Sequence, residues 1–315
     1  MTIQIRPTIA EIRPDFLRST LRTEGITLDF GAFSVALRSR LPELVPLLQA
    51  VYAEAPFQPR AGFVDTEVEL HAAGGFRRWA RPLAHIEIDG IDPFEAFPRS
   101  QLLPHFEWGV NWAFANMMNT HLLLHAGAVE IDGRGVLLIA RPGSGKSTLT
   151  AGLVGRGARL LSDEFGVVRT DDSLLLPMTK PIALKNQSIA ALRAWSPQAR
   201  IGPVFVNTRK GDLAHHAVPA DALARSHEPA RPHLVIFPQF EQNAPPSLQR
   251  IGQASAFMEL AANSFNYTVR GAAGFETVAQ LVEQCPCYRF RYGSLTDAVA
   301  TVFELCGAAA EAADA

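Results

Sequence analysis

Residues 135–154 read GVLLIARPGSGKSTLTAGLV, and this stretch decides the fold. Its first part, residues 135–140, is short, apolar and β-branched at intervals, which predicts a buried strand. In residues 149–154, Leu149, Leu153 and Val154 fall on one helical face, which predicts a helix. A strand, a glycine-rich turn ending in Gly-Lys-Ser, and a helix make up the phosphate-binding P-loop arrangement. The sequence therefore predicts a phosphate site in the turn.

The residue types of this turn indicate its chemistry. Gly143 and Gly145 allow backbone N–H groups to approach phosphate oxygens, and the helix start adds a positive dipole end. Lys146 is expected to reach the β- and γ-phosphates, and the Ser147 hydroxyl to bind Mg²⁺. Ala140 stands where the full pattern has glycine, and the alternative is a glycine-rich turn that binds nothing. The predicted nucleotide-binding residues are Arg141, Pro142, Gly143, Ser144, Gly145, Lys146, Ser147 and Thr148.

An acidic pair follows the next predicted strand. Residues 158–161 form a short strand that ends in Ser162, Asp163 and Glu164. In open α/β sheets ligands bind outside the carboxyl ends of the strands, so this pair is expected beside the phosphates and Mg²⁺. One carboxylate would hold the metal or its water, and the other would accept the proton of an attacking hydroxyl. The alternative is an acidic turn on the surface.

Further candidate residues lie before and after the loop. Residues 121–131 form a predicted strand, and Asp132-Gly133 predicts a hairpin that returns into the P-loop strand. His125 therefore lies on the strand paired with the P-loop strand, either near the phosphates or as an ordinary packed or surface histidine. Lys185, Arg209 and Lys210 are candidates for binding phosphate or a substrate anion, although scattered cations are usually only solvated.

The remaining patterns predict two parts of the chain. Residues 1–98 are predicted to form a small α+β domain that serves as a platform or docking domain, with residues 1 to about 24 as a loosely attached lead-in. Residues 99–315 are predicted to form an α/β domain that contains the P-loop and begins with a helix over about 102–120. In that helix Trp108 and Trp112 share one face, which favours core packing.

Composition excludes several classes of protein. The 315 residues carry a net charge of −2, which does not favour nucleic acid as a partner. The N-terminus lacks the apolar core of a signal peptide, and no apolar run is long enough to span a membrane. Cys285, Cys287 and Cys306 make a poor disulfide framework and are expected to be reduced structural thiols. The expected location is the cytoplasm.

These motifs together resemble a known family. The stretch 125–168 resembles the catalytic domain of HPr kinase/phosphorylase, on His125, the Gly-Lys-Ser turn, and Arg156 through Glu164. The chain is more closely similar to the HPr-kinase-related kinase A family, which also matches residues 107–112, Lys185-Asn186, 209–211 and 264–267. The resemblance implies an α/β P-loop kinase fold of the HPr kinase and phosphoenolpyruvate carboxykinase type.

The resemblance also implies a reaction with ATP and Mg²⁺ in which a phosphoryl group passes to a serine hydroxyl. Carried over by position, Lys146 binds phosphate, Ser147 binds the metal and His125 assists the site. Asp163 becomes the base and Glu164 the metal or water ligand, with the reverse assignment open. HPr kinases have a metal-binding glutamate in a segment that corresponds here to residues 184–187, which contain no acid, and this departure predicts a less charged metal site.

The family is associated with a PqqD-like peptide chaperone and a nucleotidyltransferase, so the resemblance implies a peptide or small protein as acceptor. The sequence thus predicts an ATP-dependent kinase that acts on a hydroxyl of such an acceptor. A small-molecule hydroxyl kinase and a catalytically weak ATP-binding module are the alternatives. A homo-oligomer is left open.

Overall fold

The computed structural model describes residues 6–74, 82–141 and 143–311 and shows a mixed α/β protein. Three sheets form in the described residues, with five, eight and three strands. Parallel and antiparallel pairs occur together in the two larger sheets. The predicted α/β class is therefore confirmed.

The five-stranded sheet is built by the first third of the chain. Its strands are arranged in the order β1-β2-β3-β4-β5. Only the pair β2 and β3 is parallel. The strands are β1 (Ile26–Asp29), β2 (Ser34–Ser39), β3 (Thr66–Ala72), β4 (Leu83–Ile88) and β5 (Phe97–Pro98). The helices that accompany them are α1 (Pro14–Arg22), α2 (Leu44–Val51) and α3 (Leu102–Met117).

The eight-stranded sheet contains the P-loop strand. Its strands are β6 (Leu122–Ile131), β7 (Arg134–Ile139), β8 (Arg159–Ser162), β9 (Phe165–Val168), β10 (Leu175–Leu176), β14 (Arg231–Phe240), β15 (Ser247–Arg250) and β16 (Cys287–Tyr292). The main path runs β10-β9-β6-β7-β14-β16-β15, and β8 pairs with β6. The parallel centre is β7-β14-β16.

The third sheet and the remaining helices complete the described chain. Strands β11 (Ile182–Lys185), β12 (Phe205–Thr208) and β13 (Gly211–His216) are antiparallel in the order β11-β13-β12. The helices are α4 (Lys146–Gly155), α5 (Gln187–Trp195), α6 (Ala220–Ala224), α7 (Gln253–Ala262), α8 (Tyr267–Arg270), α9 (Ala272–Gln284) and α10 (Leu295–Glu311).

The predicted elements around the P-loop are confirmed. The strand β7 precedes the loop, the helix α4 follows it, and Leu149 and Leu153 are fully buried on that helix. The turn between β6 and β7 has positive φ at Asp132 (49°) and Gly133 (79°), as a tight hairpin of two such residues requires. The Asp-Gly signal therefore sets the pairing of these two strands.

One prediction about the N-terminus is wrong. Residues 1 to about 24 are predicted to be a loosely attached lead-in, but α1 packs against the core; residues 1–5 lie outside the described residues. Leu17 and Leu21 of α1 are at most 1% exposed, and Ile9 before it is fully buried. The spacing of these apolar side chains gives α1 a buried face, so burial of that face holds the segment in place.

The first hydrophobic core extends beyond the five-stranded sheet. Besides residues of β1–β5 and α1–α3, it contains Leu123 of β6, Phe165 of β9 and Met178. Phe114 of α3 meets Phe165 edge-on, with ring centroids 4.8 Å apart. The division of the chain at residue 98 stays a prediction, and the two parts share apolar packing.

Two predictions from composition can be compared with the described residues. In the part of the chain that the structure describes, no helix is long and apolar enough to cross a membrane. Cys285, Cys287 and Cys306 are buried free thiols, as expected. Burial raises the pKa of Cys285 to about 12, so this thiol is poorly nucleophilic.

Candidate active site

The predicted phosphate-binding loop has the backbone that its glycines predict. Gly143 and Gly145 have φ of 88° and 89°, a conformation that side chains with a Cβ rarely adopt. Gly145 also lies against Tyr292 and Phe240: a Cβ there would come within 2.5 Å of the Tyr292 hydroxyl. That hydroxyl donates to the Gly145 carbonyl at 3.2 Å. The end of β16 therefore holds the loop just before α4 begins at Lys146.

The loop residues border a cavity of about 660 Å³. Arg141 and Ser144 line it, together with the ends of β14 and β16. The backbone N–H of Phe240 donates to the Ser144 carbonyl at 2.9 Å, and the Ser144 hydroxyl is buried without a hydrogen-bond partner. Ser147 and Thr148 are half-buried at the start of α4, and Arg141 and Gly143 are exposed. Pro142 lies outside the described residues.

The P-loop lysine and the predicted base lie next to each other. Lys146 Nζ is 3.8 Å from Asp163 Oδ1 and also donates to the Asp163 backbone carbonyl. Lys146 is 7% exposed and Asp163 is 4% exposed, and both carboxylate oxygens of Asp163 lack a hydrogen-bond partner. A buried carboxylate without donors is costly unless a charge or a ligand compensates it. This carboxylate therefore has open coordination toward a cation or a hydroxyl.

Sheet topology explains this proximity. Strands β7 and β8 both pair antiparallel with β6, so they run in the same direction on either side of it. Their carboxyl ends consequently meet at one edge of the sheet. The P-loop follows β7, and Asp163 follows β8. The acidic pair was predicted at this edge, and the alternative of a surface turn does not hold for Asp163, which is buried.

His125 and Glu164 form a second pair at the site. His125 Nε2 lies 3.8 Å from Glu164 Oε1. Burial lowers the pKa of His125, and the Lys146 charge lowers it further. Burial raises the pKa of Glu164, but the Lys146 charge, that of His125 when its imidazole is protonated, and the Lys185 and Lys210 charges outweigh it and leave the pKa below its ordinary value. At neutral pH Glu164 is thus an anion beside a mainly neutral imidazole.

The three candidate cations divide into two groups. Lys185 and Lys210 line a small cavity of about 30 Å³ that also contains Asp163 and Glu164. Lys210 Nζ lies 5.4 Å from the centre of the Trp108 ring, so the ring faces this cation. Burial lowers the pKa of Lys210, and the Lys185 charge adds to the shift. Arg209 and Lys210 are both exposed, but Arg209 lies outside the lining of this cavity.

The sequence did not predict a buried network on the far wall of the cavity. Glu107 Oε2 lies 3.1 Å from Lys180 Nζ, and both side chains are buried. The same ammonium donates to the Glu107 carbonyl at 3.1 Å and to Asn111 Oδ1 at 2.5 Å. The Tyr52 hydroxyl donates to Glu107 Oε1, and burial followed by the Glu107 charge raises the pKa of Tyr52. The nearest signal in the sequence was the i, i+4 spacing of Glu107 and Asn111.

His215 lies in the same lining. It is 1% exposed, and neither ring nitrogen has a hydrogen-bond partner. Burial lowers its pKa to about 4, with the Glu107 carboxylate opposing the shift and the Lys180 and Lys185 charges adding to it. His215 is therefore neutral and adds no charge to the cavity at neutral pH.

A third cavity, of about 270 Å³, lies away from the P-loop. It is bounded by β1, the end of α2, and the segment after α6, and it contains none of the predicted site residues. Its wall includes Tyr52, whose hydroxyl reaches Glu107.

The described residues hold no cluster of three or more histidine, cysteine, aspartate or glutamate side chains suited to a metal ion. A metal at the P-loop would thus need phosphate oxygens or water as further ligands.

Comparison with known proteins adds no family. No protein-family model matches the chain, and no curated protein matches it significantly.

Proposed function

We propose that this protein is a P-loop phosphotransferase of the HPr-kinase-related type, which transfers the γ-phosphoryl group of ATP to a hydroxyl of a peptide or small protein. The observation that carries the proposal is the buried pair of Lys146 and Asp163, in which the carboxylate oxygens have no donor. A lysine at the start of a helix after a glycine-rich turn suits a phosphate, and a carboxylate beside it suits an acceptor hydroxyl.

The donor set fits ATP and Mg²⁺. The Ser144 hydroxyl is buried without a partner at the loop, and a cavity of about 660 Å³ borders the loop. Ser147 and Glu164 are the residues that would hold Mg²⁺, which neutralises phosphate charge when bound. Glu107 is a poor metal ligand here, because its carboxylate is engaged by Lys180 and Tyr52.

Asp163, Lys146 and His125 have separate roles in this reaction. Asp163 orients the acceptor hydroxyl and takes its proton, while Lys146 compensates charge on the phosphates. His125 is largely neutral and supports Glu164 by its position. Most of the rate gain in this scheme comes from positioning and charge compensation.

The catalytically weak ATP-binding module remains the second candidate. It is favoured by residues 184–187, where Lys185 and its neighbours provide no carboxylate for a second metal contact.

The experiment that separates the two is transfer of label from γ-labelled ATP, with identification of the labelled product. Wild type is expected to label an acceptor hydroxyl, and Asp163→Asn is expected to bind ATP without labelling it. Arg156→Ala, at the far end of α4, is the matched control that should retain labelling. ATP binding without acceptor-dependent ADP release in wild type would instead assign the binding module.

A further inference from the structure

The cavity beside Asp163 contains charges that are not all paired within the protein. Asp163 lies 3.8 Å from Lys146, Glu107 lies 3.1 Å from Lys180, and Glu164 lies 3.8 Å from His125. Each carboxylate of this cavity thus has a basic neighbour. Among the described residues, Lys185 and Lys210 have no carboxylate oxygen within 4.0 Å of their ammonium groups.

The comparison with Lys180 shows why these two lysines differ. Lys180 Nζ has three oxygen partners, two from Glu107 and one from Asn111, so its three donors are satisfied. Lys185 and Lys210 have no hydrogen-bond partner for their ammonium groups in the described chain. They face the same cavity; burial and then the Lys185 charge lower the pKa of Lys210, and the Glu164 carboxylate opposes this shift without contacting either ammonium group within 4.0 Å. Such an arrangement is stabilised by an anion between them.

The position of Lys185 and Lys210 indicates which molecule carries the anion, the acceptor or the nucleotide. Both lysines line the cavity with Asp163 and Glu164, whereas the larger cavity at the P-loop does not include them. A group held there lies on the side of the base, where the acceptor hydroxyl must arrive. The face of Trp108 over Lys210 adds an apolar wall next to the charge.

We propose that the acceptor carries a carboxylate close to its reacting hydroxyl, and that Lys185 and Lys210 bind this carboxylate. The inference rests on the proposed function and adds the substrate class: a serine flanked by an acidic residue. A singly charged carboxylate fits better than a phosphate, because Glu107, Asp163 and Glu164 line the same cavity and repel a dianion. Two charge-assisted hydrogen bonds would fix the acceptor relative to Asp163.

The test measures peptide binding by calorimetry, with Mg²⁺ and a non-hydrolysable ATP analogue at saturation. The probes are acetyl-Glu-Ser-Glu-amide and its uncharged isostere acetyl-Gln-Ser-Gln-amide, at physiological ionic strength so that unspecific attraction is screened. Wild type is expected to bind the acidic peptide at least about tenfold more tightly than the uncharged peptide. A factor of ten is at the low end of what two hydrogen bonds between charged groups contribute. Lys185→Met/Lys210→Met is expected to bind both peptides equally.

Arg209→Met is the matched control, because it removes a positive charge next to Lys210 from a residue outside the cavity lining. It is expected to keep the preference for the acidic peptide. Equal binding of both peptides by wild type, or a preference that persists in the double variant, would overturn the proposal. A phosphoserine peptide that binds more tightly than the acidic one would assign the lysines to a phosphate and also overturn it.

A separate measurement keeps this inference distinct from the proposed function. The double variant is expected to keep its affinity for the ATP analogue, since the lysines lie outside the P-loop cavity. Loss of nucleotide affinity in the double variant would place the lysines on the nucleotide phosphates and overturn the acceptor assignment. Failure of wild type to bind the analogue would overturn the proposed kinase itself.

Discussion

Lys146 Nζ lies 3.8 Å from Asp163 Oδ1 in a buried setting, 17 residues apart in the chain. The lysine begins α4 and the aspartate follows β8, so the contact joins the start of the helix to the end of the strand that comes after it. The first two predictions below concern these two side chains.

Replacing Lys146 by alanine is expected to abolish stabilisation by ATP. The change removes the cation expected at the β- and γ-phosphates. The measurement is the melting temperature with and without ATP and Mg²⁺, since a ligand that binds only the folded state raises it. Arg156→Ala, at the other end of α4, should keep the full shift. Equal shifts for Lys146→Ala and wild type would contradict a nucleotide role for the loop.

Replacing Asp163 by asparagine is expected to slow turnover without weakening nucleotide binding. The amide keeps the size of the side chain but cannot take a proton, and loss of a general base costs roughly 10²–10⁴-fold. Glu164→Gln is expected to weaken Mg²⁺-dependent ATP binding instead. Calorimetric affinity and phosphorylation rate, measured for both variants, separate the two roles. A dead Glu164→Gln with normal affinity beside a fully active Asp163→Asn would exchange the assignments.

Neutralising only one member of the buried pair of Glu107 and Lys180 is expected to lower the free energy of unfolding. Glu107→Gln leaves the ammonium uncompensated, which costs about 3–5 kcal/mol of unfolding free energy for a buried pair. Lys180→Met leaves the carboxylate and should cost a similar amount, while the double variant should cost less than the sum. Denaturant unfolding of the four proteins measures this coupling.

The half-buried pair of Arg38 and Glu69, 4.0 Å apart and more accessible to water than Glu107 and Lys180, provides the comparison for that cycle. Arg38→Ala is expected to change stability by less than about 1 kcal/mol, because water screens the pair. Additive single and double effects at Glu107 and Lys180 would show that their contact is energetically unimportant.

Acidification is expected to destabilise the fold through His215. Its folded pKa of about 4 lies below the ordinary value of 6.5. The unfolded chain therefore takes up a proton first as the pH falls. This single group lowers the unfolding free energy by about 1.4 kcal/mol per pH unit between 6.5 and 4, and its contribution is fully present above pH 6.5. His215→Leu should show a shallower loss over this window, and an equal slope would contradict the assignment.

The sequence predicted what is local and missed what joins distant segments. The strand β7, the P-loop and α4 follow from one stretch of 20 residues. The place of Asp163 followed from the general rule for strand ends, although β6 lies between β7 and β8. The role of Lys180 depends on Glu107, 73 residues earlier, and no periodicity relates the two.

Glu107 shows a second reason why the sequence does not predict every residue of the cavity. Its helix was predicted, and its neighbours Trp108 and Trp112 drew the interpretation toward core packing. The helical period predicts which side chains share a face, but it does not tell which cation from elsewhere in the chain meets them. The prediction of a loose lead-in is wrong for residues 6–24, because Pro14 and the charges of α1 obscure a short apolar stripe that includes Leu17 and Leu21.

The hydroxyl of Tyr52 limits how this protein can be rearranged in evolution. Tyr52 belongs to the segment before residue 98, yet it contacts the carboxylate that holds Lys180 at the wall of the cavity beside Asp163. A gene fusion that exchanged the first 98 residues for an unrelated domain would leave Glu107 without this hydrogen-bond donor. It would also remove the apolar side chains that pack around the helix of Glu107. Functional chimeras are therefore expected only among donors that place a phenol at the end of the second helix.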